Sequence, residues 1–364
     1  MSSRRLAFLG AAAIIAATPA AASAANPLFT FDGKNPRAGA ADPGMAVKDG
    51  IYYVASTKRS GVNRGLVRSS TDLRKWTYRG AVFTRDQIPG WVDRSGVFEA
   101  PEIEFRPSTG LWHVVFAAKS KKTGKVCLGS ATSKNPYHFS RVSSPRPLLC
   151  SRDRDKSKRY SVIDPSIFRD PAPNGRLWIL FKRDFRSDRG QPTKDIVIRP
   201  LSEDGTKVGL KLGGPLIKAE TPWEGGSVEA PTMIYRDPDG GGPAPARYYL
   251  FYSGGNFEND TYAVGVAVSP FGANTPTGGG NYGFKRFGAG PILTASPSFG
   301  GVGHQDVVGD LLFYHARDKR KGARCKARCL MADAIRWDRP GGNPPGKPPV
   351  PGFWPSINNG TPSQ

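Results

Sequence analysis

The amino-acid sequence predicts an all-β protein that folds as a five-bladed β-propeller. A strand rich in aromatic residues recurs five times, a turn precedes each copy, and an alternating strand follows it. From Tyr52, the equivalent aromatic positions follow at intervals of 60, 66, 70 and 65 residues, a length that suits a four-stranded sheet with its loops. Five such sheets arranged radially leave only short edges around a central channel. The aromatic strands are residues 51–56, 111–116, 177–181, 248–252 and 311–315.

The turns in front of the aromatic strands have the composition of β-hairpin loops. Asp49-Gly50 and Asn174-Gly175 tolerate the positive φ angles that tight hairpins need. A β-sandwich would not explain five copies, and a parallel β-helix would need a much shorter repeat. The alternating strands that complete each unit are predicted at residues 65–69, 125–131, 195–200, 262–268 and 329–335.

The two ends of the chain differ in composition from the repeats. At the N-terminus, Arg4-Arg5 precedes an apolar stretch, and Ala22-Ser23-Ala24 has the form of a cleavage site for an export signal. A retained membrane anchor is the alternative, and the small residues at the end of the stretch favour cleavage. The chain is therefore divided into a signal at residues 1–24, a propeller at residues 25–338 and a Pro- and Gly-rich, extended or disordered tail at residues 339–364.

Composition indicates the compartment and the partners. Two local disulfides, Cys127 with Cys150 and Cys325 with Cys329, are the natural pairing of the four cysteines in an exported protein, although three connectivities are open. The formal net charge of +22 is scattered along the chain without a nucleic-acid-binding motif, which indicates a basic surface with affinity for polyanions. We expect a monomer with no nucleic-acid or membrane partner.

Three acidic residues stand where the innermost strand of a repeat is predicted to begin. Asp42 and Asp164 each precede a proline, and Glu229 precedes Ala230-Pro231. The innermost strands of a propeller border the central channel, so we expect these carboxylates to meet at one end of it. Hydrolysis of a glycosidic bond needs one carboxylate that activates water and one carboxylic acid that protonates the leaving oxygen. A third acid can adjust the pKa of the acid.

The ordered set of motifs at these positions resembles family 43 of the glycoside hydrolases over about residues 40–337. The resemblance implies a five-bladed propeller that inverts the anomeric configuration. It implies that Asp42 is the general base, that Glu229 is the general acid, and that Asp164 positions the acid and holds its pKa up. The motifs are Ala41-Asp42-Pro43, Ala100-Pro101-Glu102, Ile163-Asp164-Pro165-Ser166, Val228-Glu229-Ala230-Pro231 and Gly303-His304-Gln305-Asp306.

His304 matches the last-blade histidine that, in arabinanase-like members of the family, helps to hold a calcium ion through water. Calcium prefers many oxygen ligands, so an ion bound by one histidine would have to be mostly hydrated. Calcium is thus an expectation from the resemblance. A hydrogen-bonded channel residue without a metal is the alternative for His304.

Four aromatic residues are candidates for stacking on a sugar ring, with core packing as the alternative for each: Phe98, Trp91, Trp223 and Phe257. The Glu229 motif and the Tyr314-His315 strand resemble arabinan-acting members of the family. We therefore expect a secreted enzyme that acts on an arabinose-containing polysaccharide or oligosaccharide of the plant or microbial cell wall. A β-xylosidase-type member of the same family and a non-catalytic, carbohydrate-binding propeller are the alternatives.

Overall fold

The structure, a computed structural model, is a five-bladed β-propeller, as the sequence predicts. Each blade is a sheet whose main strands follow one another antiparallel in chain order. The first blade has a fifth strand, because β1 (Thr30–Phe31) pairs in parallel with β5 (Lys75–Gly80). The structure describes residues 26, 28, 30–31, 39–58, 63–142, 145–151, 160–171, 175–184, 194–210, 214–237, 247–270, 283–323, 325, 327–338, 354–358 and 360–363.

The strands of each blade are numbered in chain order, and the innermost strand borders the central channel while the last strands form the outer edge. Blade 1 continues with β2 (Gly44–Lys48), β3 (Ile51–Ser56) and β4 (Leu66–Ser70), which precede β5. Blade 2 contains β6 (Phe98–Arg106), β7 (Leu111–Lys119), β8 (Val126–Ser133) and β9 (Arg141–Val142). Blade 3 contains β10 (Ser161–Arg169), β11 (Leu177–Asp184), β12 (Asp195–Pro200) and β13 (Ile217–Lys218). Blade 4 contains β14 (Val228–Arg236), β15 (Arg247–Gly254), β16 (Ala263–Ser269) and β17 (Lys285–Arg286). Blade 5 contains β18 (Phe299–Val308), β19 (Leu311–Asp318), β20 (Arg328–Asp338) and β21 (Trp354–Ile357). Two short 3-10 helices lie at Arg85–Gln87 and Pro222–Glu224.

The predicted aromatic strands are the second strands of the blades, and both of their faces are buried. On β11, Trp178 and Leu180 pack between blades 3 and 4, whereas Leu177 and Ile179 pack between blades 2 and 3. Successive side chains of a strand point to opposite faces, so a strand buried on both sides reads as a continuous apolar run. Among the described residues, five apolar clusters fill the five spaces between neighbouring blades.

The N-terminal segment closes the ring by packing against blade 5. The backbone N–H of Leu28 donates to the carbonyl of Leu330 at 3.0 Å, and the N–H of Ala40 donates to the carbonyl of Arg328 at 2.7 Å. Leu28 and Ala40 also belong to the apolar cluster between blades 5 and 1. The two ends of the propeller are therefore held together by backbone hydrogen bonds and by apolar contact.

The C-terminal segment takes part in the last blade, unlike the extended tail that the sequence predicts. Trp354–Ile357 pairs antiparallel with β20 and forms its outer neighbour. A proline inside a strand is tolerated at the edge of a sheet, which is where Pro355 lies. Residues 339–353 and the predicted signal at residues 1–24 lie outside the described residues.

The two predicted disulfides are present. Cys127 is bonded to Cys150, and Cys325 is bonded to Cys329. The first joins β8 of blade 2 to the segment that leads into blade 3. The second joins a residue shortly before β20 to the second residue of that strand.

A left-handed residue other than glycine lies within the innermost strand of each of blades 2 to 5, and another lies two residues before β2 of blade 1. These residues are Asp42, Ala100, Asp164, Ala230 and His304, with φ angles of 54°, 48°, 51°, 49° and 52°. In blades 2 to 5 the register with the second strand shifts beside this residue. A left-handed conformation costs a residue other than glycine about 1–2 kcal/mol. Contacts elsewhere must therefore hold the turn.

Side chains of the preceding blade supply those contacts in four of the five blades. The backbone N–H of Asp42 donates to His315 Nδ1 at 3.1 Å, and that of His304 donates to Ser253 Oγ at 2.8 Å. The other two bonds run from the N–H of Ala100 to Thr57 Oγ1 at 2.9 Å and from the N–H of Ala230 to Asp164 Oδ2 at 3.2 Å. Each of these bonds joins one blade to the next at the rim of the channel.

The Ser253→Ala variant tests the importance of these bonds. Ser253 is fully buried, and its hydroxyl accepts from His304 N–H and donates to Gln305 Oε1 at 2.7 Å. Its loss leaves buried polar groups without partners, so we expect a loss of about 1–3 kcal/mol in the free energy of unfolding, measured by urea denaturation. Ser108→Ala, which removes an exposed hydroxyl, is the control and should change stability by less than about 0.5 kcal/mol. Equal stability of the two variants would contradict this account.

Candidate active site

One end of the channel opens into a cavity of about 1330 Å³. The structure brings Asp42, Asp164 and Glu229 together in the wall of this cavity. They come from blades 1, 3 and 4, at or beside the left-handed residues of the innermost strands. The shared turn thus places side chains that are distant in the sequence around one space.

Asp42 is a buried, ionised carboxylate. Its Oδ1 accepts a hydrogen bond from Arg328 Nη1 at 2.6 Å, and its Oδ2 accepts one from Thr57 Oγ1 at 2.6 Å. Burial by itself would raise the pKa of Asp42. The nearby His304, Arg328 and His315 side chains and the Thr57 hydroxyl outweigh burial and bring the pKa well below its usual range. Asp42 is therefore able to accept a proton at neutral pH.

Both carboxylate oxygens of Glu229 accept hydrogen bonds. Lys182 Nζ donates to Oε2 at 2.6 Å, and the Tyr262 hydroxyl donates to Oε1 at 2.7 Å. Burial by itself would raise the pKa of Glu229, but Lys182 and Tyr262 outweigh it and lower the pKa. The pKa held up by neighbours, which the sequence analysis predicts for Glu229, is therefore not what the structure indicates. A buried ammonium from blade 3 stabilises the charged form instead.

Asp164 is the carboxyl group of the site that favours the protonated form. Its side chain is buried, and its Oδ2 accepts the N–H of Ala230, the neighbour of Glu229. Burial and then the negative charge of Glu229 raise the pKa of Asp164 to about 8, although Lys182 opposes the shift. The raised pKa of Asp164 and the lowered pKa of Glu229 together favour a single proton on this pair at neutral pH, on the side of Asp164.

His304 and His315 lie side by side against Asp42. Their rings are stacked with centroids 5.9 Å apart, and His304 Nδ1 lies 3.4 Å from Asp42 Oδ1. Burial lowers the pKa of His304 and lowers the pKa of His315 well below its usual range. Both rings are neutral at pH 7. Because His315 Nδ1 accepts the N–H of Asp42, the proton of this ring is on Nε2.

The described residues around His304 do not form a set of protein ligands for calcium. Among the described residues, no three His, Cys, Asp or Glu side chains are arranged to hold a metal ion. A calcium ion near His304 would have to take most of its ligands from water. Calcium stays a prediction from the family resemblance, and no chemical step is assigned to it.

The four predicted sugar-stacking residues divide into two pairs. Trp223 and Phe257 are half-buried and line the cavity. Phe98 is fully buried and Trp91 nearly so, and both pack on Phe116 in the core between blades 1 and 2. The alternation along the innermost strand turns Phe98 away from the channel, so neither Phe98 nor Trp91 offers a face to a sugar. For Phe98 and Trp91, the alternative prediction of core packing is therefore the correct one.

Two acids below the cavity have a structural role. Glu102 Oε1 accepts the N–H of Ile167 at 2.6 Å, and Asp306 Oδ2 accepts the N–H of Met45 at 2.7 Å, so each ties one blade to another. Burial and then the charge of Asp306 raise the pKa of Glu102 well above its usual range, and burial raises the pKa of Asp306 to about 6.

Four side chains that touch the predicted catalytic carboxylates are not among the candidate residues predicted from the sequence: Thr57, Arg328, Lys182 and Tyr262. One signal was present for Lys182, because a lysine that directly follows the apolar run Leu177-Trp178-Ile179-Leu180-Phe181 in a buried strand needs a buried partner. Thr57 and Tyr262 lie directly outside a strand of the same blade as the acid they contact, and Arg328 begins β20 of the blade next to that of Asp42. Only their positions in space connect them to the site.

An ionised carboxylate and a second pair of carboxyl groups that favours one bound proton meet the acid and base requirements of glycosidic-bond hydrolysis. The chain belongs to family 43: the profile described as "Glycosyl hydrolases family 43" matches residues 34–342. The enzymes of this family invert the anomeric configuration.

Individual relatives agree with this assignment. The chain is 27% identical over 314 residues to an extracellular endo-alpha-(1->5)-L-arabinanase 1 of Bacillus subtilis (strain 168), covering 81% of this chain and 84% of the relative. An endo-1,4-beta-xylanase from Bacteroides thetaiotaomicron shares the fold, with a TM-score of 0.65 at 21% identity over 89% of this chain and 96% of the other. An alpha-L-arabinofuranosidase from Lactobacillus brevis has a TM-score of 0.63 at 20% identity, covering 90% of this chain and 97% of the other.

Two further observations bear on the environment of the protein. The two disulfides suit an oxidising compartment outside the cytoplasm. Within the ranges that the structure describes, no helix has the length and apolar character needed to cross a membrane.

The Asp164→Asn variant tests the protonation state of Asp164. A folded-state pKa of about 8, against an ordinary value of 3.8, means that the folded protein binds an extra proton between these pH values. Wild-type stability from this group is therefore complete below pH 4 and is lost as the pH rises to about 8. Asparagine does not titrate and keeps an acceptor for Ala230 N–H. We expect the variant to lose less stability than the wild type between pH 5 and pH 8 in urea denaturation.

The exposed Asp49→Asn variant is the control for this experiment, and it should show the same loss between the two pH values as the wild type. An Asp164→Asn variant with an unchanged pH dependence would show that Asp164 is ionised in the folded protein.

Proposed function

We propose that this protein is a secreted glycoside hydrolase that cleaves arabinose-containing polysaccharides or oligosaccharides, as an arabinanase or an α-L-arabinofuranosidase. The observation that carries the proposal is the convergence of Asp42, Asp164 and Glu229 in one open cavity. One of the three is held ionised, and the other two share a proton. This division of charge is what a single-step displacement at an anomeric carbon requires.

Asp42 is the general base in this proposal. Arg328 and Thr57 hold its carboxylate in place through one oxygen each, and each oxygen keeps a further lone pair for a water molecule. Asp42 takes a proton from this water as the water oxygen bonds to the anomeric carbon.

Glu229 is the general acid. The bond between the anomeric carbon and the glycosidic oxygen breaks as Glu229 gives its proton to that oxygen. In the free protein the proton rests on Asp164, so it has to pass to Glu229 before the bond breaks. Exclusion of water by a bound sugar weakens the solvation of the carboxylate and favours this transfer. Asp164 thus serves as the proton reservoir and as the positioning group for the strand that carries Glu229.

Arabinan is the substrate class with the best support. The relative that is 27% identical to this chain is named as an endo-acting α-(1→5)-L-arabinanase, and its match extends over most of both chains. The cavity volume of about 1330 Å³ accommodates several sugar units, and the half-buried rings of Trp223 and Phe257 supply stacking faces. The fold alone does not select the pentose, because xylan-acting and arabinose-acting enzymes share it.

Secretion is supported by three independent features. Residues 1–24 have the composition of an export signal, the four cysteines form two disulfides, and the arabinanase relative is described as extracellular.

The variants Glu229→Gln and Asp42→Asn test the proposed roles. Each keeps the size of the side chain and removes its acid–base function, so we expect kcat on linear arabinan to fall by about 10²–10⁴-fold. Reducing-sugar release from arabinan, debranched arabinan and xylan is the measurement. Ser108→Ala on the outer surface serves as the control and should keep wild-type activity.

Two results would overturn this proposal. Wild-type activity on xylan alone would replace arabinose by xylose as the substrate. Full activity of Glu229→Gln and Asp42→Asn, or no wild-type activity on any cell-wall glycan, would instead favour a non-catalytic carbohydrate-binding propeller.

The stereochemistry of the first product tests the single-step mechanism. Because Asp42 activates water without forming a bond to the sugar, hydrolysis of an α-L-arabinoside should release the β-anomer first. A proton NMR time course at low temperature would separate the initial anomer from the mixture formed by mutarotation. Initial release of the α-anomer would indicate a covalent intermediate and would exclude the proposed role of Asp42.

A further inference from the structure

We propose that Lys182 is a positioning residue of the active site, which confines the acidic proton of Glu229 to the Oε1 atom. The inference rests on the proposed role of Glu229 as the general acid. It concerns a lysine that belongs to none of the five motifs and lies on a different blade from Glu229.

The contact between Lys182 and Glu229 is short, buried and made across two blades. Lys182 lies on β11 of blade 3, and Glu229 lies on β14 of blade 4. The Lys182 side chain is 4% exposed, the Glu229 side chain is 14% exposed, and the Nζ–Oε2 distance is 2.6 Å. A buried ammonium is costly unless its charge is compensated. Lys182 is therefore held at Glu229 by its need for a partner.

The two partners of Glu229 differ in what they permit. A lysine ammonium has three donors and no acceptor, so a protonated Oε2 could not point its hydrogen at Lys182. The Tyr262 hydroxyl, which lies 2.7 Å from Oε1, is able both to donate and to accept. A hydrogen on Oε1 is compatible with Tyr262 once the hydroxyl rotates. While Lys182 is in place, the acidic proton of Glu229 therefore belongs on Oε1.

This geometry gives Lys182 an effect on the chemistry that is separate from its effect on packing. The ammonium makes Glu229 a stronger acid, because it stabilises the carboxylate left after proton transfer. It also fixes which oxygen donates the proton to the glycosidic oxygen. Both effects matter most when the leaving group needs full protonation, as an ordinary sugar does. They matter little when the leaving group is a stabilised phenolate.

A dependence on the leaving group is therefore the signature of the proposed role. We compare kcat/KM of the wild type and Lys182→Met on an arabino-oligosaccharide and on the 2,4-dinitrophenyl arabinoside or arabinotrioside that the wild type cleaves. We expect the variant to lose about 10²-fold or more on the oligosaccharide and less than about 10-fold on the aryl substrate. The alkaline limb of its pH–rate profile should move to higher pH, because Glu229 loses the cation that lowers its pKa.

Two further variants keep the test decisive if Lys182→Met does not fold. Lys182→Arg retains a buried cation with donors only, so it should keep the wild-type ratio of rates on the two substrates. Tyr262→Phe removes the partner that accepts from Oε1 and should lower the oligosaccharide rate more than the aryl rate. Lys207→Met, which changes an exposed lysine elsewhere on blade 3, is the matched control and should behave as the wild type.

An equal loss on both substrates with an unmoved pH profile in Lys182→Met would overturn the inference, because a merely structural lysine would give that result. The same ratio of rates on the two substrates in Lys182→Arg as in Tyr262→Phe would also overturn the inference, because only Tyr262→Phe should change that ratio. Glu229→Gln, measured in parallel, separates this outcome from failure of the proposed function. If Glu229→Gln shows the leaving-group dependence and Lys182→Met does not, only the role of Lys182 is wrong. If Glu229→Gln also lacks the dependence, the assignment of the general acid itself is wrong.

Discussion

In four of the five blades, a side chain of the preceding blade accepts the backbone N–H of the left-handed residue at the channel. The rest of the structure depends on these bonds. They offset the conformational cost of the left-handed turn, link the blades into a ring, and direct the neighbouring side chains to the same opening. Asp42 and Asp164 occupy left-handed positions themselves, and Glu229 stands directly before one. Stability and the assembly of the site thus come from the same contacts.

The electrostatics of the site follow from unequal surroundings of three similar groups. Asp42 has Arg328 and Thr57, Glu229 has Lys182 and Tyr262, and Asp164 has the charge of Glu229 without a cation of its own. All three are buried, so differences among their partners decide which of them carries the proton. Lys182 outweighs burial at Glu229 and lowers its pKa, whereas burial and then the charge of Glu229 raise the pKa of Asp164, the group expected from the sequence to be an auxiliary.

Much of the fold could be predicted because each blade repeats the same local pattern. The second strands are buried on both faces and therefore appear as aromatic and aliphatic runs, which the structure reproduces at β3, β7, β11, β15 and β19. The acids of the site could be predicted because they occupy equivalent places in the repeat. The prediction for Phe98 was wrong because an aromatic residue in a buried strand has the same local pattern on either face. Trp91 lies in a turn, and its packing on Phe116 in the core depends on tertiary contacts. The strand Trp354–Ile357 was missed because its pairing depends on the open edge of β20.

The sequence by itself determined the class of fold, the number of blades and the set of carboxylates, since these are written in periodicity, turn composition and residue type. It favoured two local disulfides among three possible connectivities, and the tertiary structure decided the pairing. The left-handed turns were decided by the tertiary structure. A residue before proline favours an extended conformation, yet Asp42, Ala100, Asp164 and Ala230 are left-handed because the neighbouring blade binds their backbone or their side chains. The tertiary structure also decided the charge of each carboxylate. Arg328 and Lys182 reach them across blades, where sequence distance carries no information. Thr57 and Tyr262 reach them from just outside a strand of the same blade, and no local motif marks those contacts.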